Sequence, residues 1–238
     1  MSNYTAEQIL EEIKPLGSEG YCKVLRNHGV TDPMYGVKIE YLKKYEKAIK
    51  KDYQLAKDLY NTGVYDAMYL AGLIADESKM SKDDLRDWLS KANNDAIAEY
   101  AVAWVAADGP HGWELALEWI ESEDKRAAVC GWGTLSSLVG VKPDSELDIE
   151  HLRKLLIRVQ ETLHDQPDRV RYKMNNFVIC VGCGVAELCP EAIKVGQALG
   201  KVKVNMGNTA CKVPSAPEYI EKVVNMNRLG KKRKTARC

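Results

Sequence analysis

The chain has 238 residues, enough to bury a substantial hydrophobic core in one or two domains. With 45% hydrophobic and 29% charged residues, its composition is that of a globular protein and excludes an intrinsically disordered chain. The 34 basic and 34 acidic residues cancel, so net charge alone favours no class of partner.

The apolar runs of the sequence are far shorter than the ~18 residues that a membrane span requires. The N-terminal segment also lacks the basic start and hydrophobic run of a secretory signal. Seven cysteines without such a signal are typical of reduced thiols in the cytosol. We therefore expect a cytoplasmic protein with no membrane partner.

Short helices are predicted in the N-terminal part of the chain. Thr5 and Gln8 form a capping box, which predicts a helix over about residues 6–15. A second short helix is expected to end at residues 27–29, where Asn-His-Gly supplies a C-terminal stop. The sequence Thr-Asp-Pro at 31–33 predicts a turn before the next helix.

From residue 36 onward the predicted helices come in pairs. The first helices of successive pairs begin near residues 36, 64, 94 and 125, a period of about 30 residues. Paired helices at a fixed period are typical of an α-solenoid, in which each pair buries its apolar face by stacking on its neighbours. The period is shorter than the ~40–47 residues of HEAT or armadillo repeats, so we predict HEAT-like units with short helices. An irregular helical bundle is the alternative with the same helix content.

Residues 94–139 are predicted to form the centre of this fold. Residues 94–107 are apolar on almost every side, and a helix without a polar face is normally buried. Large apolar residues then recur at helical spacing through residues 113–121 and 125–139. Alternating patterns typical of β-strands are not evident, so the predicted fold class is all-α.

The cysteines offer a candidate metal or redox centre. Cys180 and Cys183 form a Cys-Val-Gly-Cys pair, and Cys189 follows. Zinc would need four ligands, and a thioredoxin-like site would need a strand-to-helix context. The pair lies inside a predicted helix with no histidine nearby, and Gly182 and Gly184 favour close approach of another backbone. We interpret the thiols as buried and structural, and predict no metal and no cofactor.

A basic run ends the predicted single domain, which spans residues 1–238 with a tail at about 230–238. Residues 228–237 read RLGKKRKTAR, with six basic residues and no acidic one. Basic side chains that neutralise phosphates release counterions and give affinity without sequence preference. On charge alone, a solubilising tail and a phosphate-binding arm are equally acceptable. Because Ala236 is the last apolar residue, truncation after Gly230 is expected to leave thermal stability unchanged.

Three stretches carry a resemblance that covers nearly the whole chain. They are MYGVKIEYLKKYEKAIKK at 34–51, EDKRAAVCGW at 123–132 and NNFVICVGCGVAEL at 175–188. In order and spacing they resemble the DNA alkylation repair family, the HEAT-like alkylpurine DNA glycosylases. The ending VNMGNTACKVPSAPEYIEK followed by GKKRKTARC looks like that of one branch of the family rather than of its characterised glycosylases.

The resemblance implies a solenoid whose concave, basic face holds duplex DNA. Glycosylase members of the family hydrolyse the N-glycosidic bond of N3- and N7-alkylated purines without drawing the base into a pocket, unlike most enzymes that act on bases. A carboxylate and two tryptophans are thought to contact the sugar and backbone of the lesion. A carboxylate there can stabilise an oxocarbenium-like sugar as the bond breaks.

In this chain the family's catalytic positions carry other residues. The catalytic aspartate aligns at or near Ala98, the preceding tryptophan at Asn94 and the later tryptophan near Cys183. Asp95 and Glu99 are the candidate substitute carboxylates. In a regular helix each lies on a different face from position 98, because successive residues are about 100° apart.

The resemblance also implies DNA contacts. Arg126, in the Arg-Ala-Ala motif, carries over as a phosphate contact, and the tail adds basic residues at Lys231, Lys232, Arg233, Lys234 and Arg237. We predict a DNA-binding protein of this repair family with duplex DNA as its partner. Any enzymatic activity would be a weak or altered glycosylase activity on alkylated purines. The alternative is a non-catalytic helical-repeat scaffold that binds another protein.

Overall fold

The structure, a computed structural model, describes residues 4–237. Helices account for 69% of the chain, and no strand occurs within the described range, which confirms the all-α class. Among these residues, no helix combines the length and the apolarity needed to cross a bilayer.

The helices follow one another with short connections. In chain order the α-helices are α1 (Ala6–Ile13), α2 (Glu19–Asn27), α3 (Ile39–Ile49), α4 (Tyr53–Asn61), α5 (Tyr65–Ile74), α6 (Lys82–Lys91), α7 (Asp95–Ile97), α8 (Ala103–Asp108), α9 (Gly112–Ile120), α10 (Lys125–Val141), α11 (Ile149–Thr162), α12 (Asp168–Gly184), α13 (Cys189–Leu199) and α14 (Ala216–Asn225). Single 3₁₀ turns lie at Lys14–Leu16, Asp144–Glu146, Leu163–Asp165 and Ala186–Leu188.

Among helices that follow one another in the chain, α4 packs against α5 and α12 packs against α13. The pairing of helices at a fixed period stays a prediction. Side-chain caps set several of the starts: Asn94 accepts a hydrogen bond from the backbone N–H of Ile97, and Asp124 accepts one from that of Arg126. Because caps are local sequence signals, the predicted helix starts lie close to the observed ones.

By its internal contacts the described chain divides into two compact units. Unit 1 contains the residues up to Leu115 together with Gly207–Thr209 and Arg237, and unit 2 contains Ala116–Met206 and Ala210–Ala236. The single-domain organisation stays a prediction.

Unit 1 is built around α5, every residue of which is buried. This helix packs against α3, α4 and the turn at Ala98–Val102. The contact with that turn is very close: a Cβ atom added at Gly72 would lie 2.7 Å from the Cα atom of Ala101. Glycine at this position therefore sets the distance between α5 and the turn.

Unit 2 is built around α10 and α12, which pack against each other. Trp132 and Phe177 meet edge-on, with ring centroids 5.2 Å apart. A Cβ atom at Gly182 would lie 2.4 Å from the Ile220 side chain, and one at Gly184 would lie 3.1 Å from the carbonyl oxygen of Val139. The sequence predicts close approach of another backbone at these glycines, and this occurs at Gly184, whereas Gly182 makes room for the Ile220 side chain.

One element departs from the sequence prediction. The helix expected over residues 94–107 is interrupted by a π-helical turn at Ala98–Val102, where the backbone N–H of Ala103 bonds to the carbonyl of Ala98. A π turn contains one more residue than an α turn. The regular rotation of 100° per residue therefore does not describe the faces around position 98.

Replacement of Gly72 tests the close packing in unit 1. We expect Gly72→Ala to destabilise the protein by about 1–3 kcal/mol, because the added methyl forces the backbone of Ala101 to move. The matched control is Gly20→Ala in α2, where nothing lies within 4 Å of the new Cβ. That change should be neutral or stabilising by up to about 1 kcal/mol. Denaturant unfolding measures both, and equal stability of the two variants would contradict the packing argument.

Candidate functional site

The two positions that align with catalytic residues in unit 1 are sealed in the core. Ala98 is 0% exposed and Asn94 is 3% exposed. The Asn94 side chain acts as a helix cap: its Oδ1 accepts from the N–H of Ile97 at 3.0 Å, and its Nδ2 donates to Oδ1 of Asn93 at 2.7 Å. Neither residue presents a functional group to solvent.

The two candidate carboxylates differ in their access to solvent. Glu99 lies in the π turn and is 2% exposed, whereas Asp95 lies at the first position of α7 and is partly exposed. A side chain buried to that degree is in the wrong place to contact a duplex. Of the two candidates, only Asp95 has access to solvent, and its catalytic role stays a prediction.

An aromatic cluster fills the contact between α5 and the π turn. Tyr69 lies 5.7 Å from Trp104 and 6.5 Å from Tyr100, and Tyr65 lies 6.3 Å from Tyr69, measured between ring centroids. Burial raises the pKa of Tyr65, so its hydroxyl stays neutral. Tyr100 is partly exposed. Tyr65 and Tyr69 are four residues apart, as are Tyr100 and Trp104, and this helical spacing is visible in the sequence.

In unit 2, the two predicted site positions lie on α10 and α12. Arg126 is partly exposed in the first turn of α10. Cys183 is partly exposed on α12, and burial, followed by the neighbouring Cys180 and Cys189, raises the pKa of Cys183 to about 12. The Cys183 thiol is therefore neutral near pH 7, and only the thiolate is an effective nucleophile or metal ligand.

A polar cluster that sequence reasoning missed lies where α10 and α12 meet. We name it the α10–α12 face and define it by Ser136, Gly140, Lys173, Asn176 and Cys180. Asn176 Nδ2 donates to Cys180 Sγ at 3.6 Å, and Ser136 Oγ donates to the Trp132 carbonyl at 2.8 Å. Residues 173, 176 and 180 recur at helical spacing between apolar residues of α12, and that pattern could have revealed the face.

The electrostatics of the α10–α12 face are cationic. Burial raises the pKa of Cys180, while Arg233 and Lys173 act in the opposite direction. Lys173 is only 9% exposed, which is unusual for a lysine. Burial therefore keeps the Cys180 thiol neutral near pH 7, although these two cations favour its thiolate.

The basic tail is folded against the protein rather than extended. In unit 2, Lys232 Nζ donates to the Val139 carbonyl at 2.9 Å and pairs with Asp144 at 2.8 Å, while the backbone N–H of Arg233 donates to the Gly140 carbonyl at 2.8 Å. Three of the predicted DNA contacts in the tail have exposed side chains: Lys231, Arg233 and Lys234.

Arg237 is an anchor within unit 1. Its side chain is 9% exposed, donates to the Ala75 carbonyl at 3.0 Å and to Glu77 at 2.9 Å, and lies 3.9 Å from Asp108. Ala236, in unit 2, is 0% exposed. These buried contacts contradict the basis for expecting unchanged stability after truncation at Gly230. The tail has a structural role that its composition did not reveal.

A second basic segment runs from α13 to the start of α14. Residues 192–217 contain four lysines and no acidic residue, a signal that was available in the sequence. All four lysines are exposed: Lys194, Lys201, Lys203 and Lys212. Two side chains of α12 hold the backbone of this segment, because Arg171 donates to the Lys203 carbonyl at 2.7 Å and Asn175 donates to the Pro214 carbonyl at 3.0 Å.

The described residues include six free cysteines, and they contain no group of three or more His, Cys, Asp or Glu side chains arranged to hold a metal ion.

A succession of packed helices with short connections is typical of a helical-repeat protein. Residues 9–219 match the family model described as DNA alkylation repair enzyme. A solved structure of a protein from "a new family of proteins related to the HEAT-like repeat DNA glycosylases with affinity for branched DNA structures" is 32% identical to this chain. The two superpose with a TM-score of 0.91 over 99% of this chain and 100% of the other. The predicted HEAT-like repeat fold is thereby confirmed.

The chain belongs to the DNA alkylation repair enzyme family. It is also similar to an uncharacterized protein of Listeria innocua, Lin0241, with 33% identity over 231 residues that cover 93% of this chain and 98% of the relative. An uncharacterized protein of Listeria monocytogenes, Lmo0209, is 32% identical over 226 residues, with the same two coverages of 93% and 98%.

Replacement of Arg237 tests the anchor in unit 1. We expect Arg237→Ala to destabilise the protein by roughly 2–4 kcal/mol, because Glu77 and Asp108 lose a cation in a largely buried place. The control is Lys234→Ala, an exposed tail residue whose loss should change stability by less than about 0.5 kcal/mol. Thermal and denaturant unfolding measure both changes. Identical melting of both variants and the parent protein would contradict an anchoring role.

The pH dependence of the same two proteins checks the cause. Burial raises the pKa of Glu77, but Lys51 and Arg237 outweigh that effect and lower it below its ordinary value of 4.5. A lowered carboxyl pKa contributes stability that is present above the unfolded value and is lost as pH falls through the folded one. The stability difference between the parent and Arg237→Ala should therefore shrink below about pH 4.5.

Proposed function

We propose that this protein binds branched DNA through its exposed basic groups and does not excise alkylated bases. The observation that carries the proposal is the whole-length likeness to a protein described as having affinity for branched DNA structures. Family membership supports DNA as the partner. A cytoplasmic location is part of the same proposal.

Charge distribution supports a nucleic-acid partner despite the net charge of zero. The lysines of residues 192–217 and the basic residues of 228–237 are concentrated where acidic residues are absent from the sequence. A branch point presents phosphates from more than one helical arm, so several basic patches can each meet a backbone there. Phosphate contacts of this kind carry affinity without reading sequence.

The positions around the π turn support the proposed absence of base excision. A glycosylase of this family needs a carboxylate that can approach the sugar as its bond breaks. Here the aligned residue is the buried Ala98, and Glu99 is enclosed. DNA binding can survive this loss, because phosphate contacts do not depend on the catalytic group.

One observation favours a different function, a scaffold for another protein. An open groove of about 350 Å³ lies between α11 and α13 in unit 2, and Ile157 at its edge is 52% exposed. The groove is lined by Arg153, Leu156, Ile157, Glu191, Lys194 and Val195. Pull-down of a specific protein that is lost in Ile157→Asp, with no DNA binding at low salt, would favour the scaffold.

The DNA-binding proposal is tested by fluorescence anisotropy with a four-way junction and a linear duplex of the same arm sequences. We expect tighter binding to the junction. With about four phosphates neutralised, its affinity should fall roughly 100-fold between 50 and 200 mM salt. Equal affinity for junction and duplex would refute branch preference, and negligible binding to both at 50 mM salt would refute DNA binding.

Base excision is tested by incubation with a duplex containing N7-methylguanine. We expect release of the base at the rate of the protein-free control, because no exposed carboxylate occupies the family's catalytic position. Asp95→Asn is the informative variant, since Asp95 is the candidate with access to solvent. Release above background that disappears in Asp95→Asn, with DNA affinity retained, would show that Asp95 supplies the missing carboxylate.

A further inference from the structure

The start of the basic tail caps the C-terminal end of α10. The last four carbonyl groups of an α-helix have no partner within the helix. Two of those in α10 accept hydrogen bonds from the tail: Lys232 Nζ donates to the Val139 carbonyl at 2.9 Å, and the backbone N–H of Arg233 donates to the Gly140 carbonyl at 2.8 Å. An ammonium is also favourable at the negative end of a helix dipole. The charge of Lys232 therefore acts within the fold, where it also pairs with Asp144.

The same segment is bound to the C-terminal end of α12. The backbone N–H of Gly230 donates to the Cys183 carbonyl at 2.9 Å, and this carbonyl belongs to the last turn of α12. Gly230 has a φ angle of 73°, a left-handed conformation that favours glycine. Hydrogen bonds at residues 230, 232 and 233 thus hold the segment against the ends of two helices. A segment held in this way has little conformational entropy left to lose when it binds a ligand.

Two lysines of the segment have their side chains in solvent. Lys231 and Lys234 are exposed, and they stand on either side of the two residues that cap α10. By contrast, the side chain of Lys232 is only 18% exposed. Three residues of chain span at most about 11 Å, so the Cα atoms of Lys231 and Lys234 are no further apart than that. The segment therefore presents two positive charges from a fixed backbone.

We propose that Lys231 and Lys234 each bind one backbone phosphate of the DNA, and that the hydrogen bonds at residues 230–233 fix their positions. This inference rests on the proposed function and adds to it which charges of the tail meet the DNA. A lysine ammonium binds a phosphate as a point charge. Lys232, predicted from the sequence as a further contact, has a structural role in this proposal. The two contacts read no sequence, since a phosphate carries no base information.

The phosphate contacts are tested by the salt dependence of junction binding with full-length variants. Each lost contact should lower the slope of log affinity against log salt by about 0.9. We expect this decrease in Lys231→Gln and in Lys234→Gln, and a decrease of about 1.8 in the double variant. Because both side chains are exposed, the Tm of these proteins should equal that of the parent.

Two lysines serve as matched controls for the loss of one charge. Lys154→Gln changes an exposed lysine of α11 and should keep the parent slope. Lys232→Gln changes a lysine inside the same run. It should also keep the parent slope, but its Tm should be lower, because the Val139 carbonyl and Asp144 lose their partner. A decrease of slope in Lys232→Gln as large as in Lys231→Gln would overturn the division of roles.

The positioning role is tested by two substitutions of Arg233. Arg233→Pro removes the backbone N–H that donates to the Gly140 carbonyl, whereas Arg233→Gln removes the same charge and keeps that N–H. We expect the proline variant to bind the junction roughly 5-fold or more weakly than the glutamine variant, because a freed backbone must be ordered on binding. Their salt slopes should be equal, since both lysines remain. Thermal unfolding shows that each variant is folded, and equal affinity of the two would overturn the positioning role.

Further outcomes separate this inference from the proposed function. If the parent protein does not bind the junction, the proposed function fails. If the parent binds and the double variant of Lys231 and Lys234 keeps its slope, the tail contacts fail while the proposed function stands.

Discussion

The burial of α10 on all sides is the constraint on which unit 2 depends. Such a helix is stable only if its polar groups are satisfied internally, because an unpaired buried polar group costs about 1–3 kcal/mol. Thr134 and Ser136 meet this condition by donating to the carbonyls of Cys130 and Trp132, both at 2.8 Å. Small residues allow close packing: a Cβ atom at Gly131 would lie within 3.0 Å of the preceding helix. The helices that surround α10 can therefore approach closely, and the α10–α12 face exists at their junction.

Close packing also accounts for the buried residues at the positions that align with catalytic residues of the family. Ala98 is fully buried in the turn that packs against Gly72 of α5, and the side chain of Asn94 caps a helix. A carboxylate at position 98 would need solvent or a partner in this enclosed place. Packing and capping occupy these two positions, whereas exposed lysines lie elsewhere. Under the proposed function, the absence of base excision and the affinity for DNA therefore have separate physical causes.

The C-terminal residues show that like charges in one short run can serve different purposes. Arg237 is enclosed with Glu77 and Asp108, and Lys232 is held by Asp144, so their charges stabilise the fold. Lys231 and Lys234 point their charge to solvent. The sequence left a solubilising tail and a phosphate-binding arm as alternatives, and the structure shows that part of the run is instead anchored to the fold.

The sequence by itself determined the helices and the family, because capping residues, helical spacing of apolar residues and short motifs are all local signals. It did not reveal the π turn at Ala98–Val102, which arises where α5 packs tightly against its neighbour. It also could not show that Arg237 meets Glu77, 160 residues away, or that the backbone N–H of Arg233 bonds to the carbonyl of Gly140. Tertiary structure decided these matters, because whether a charge is buried, paired or exposed depends on which distant residues the fold brings beside it.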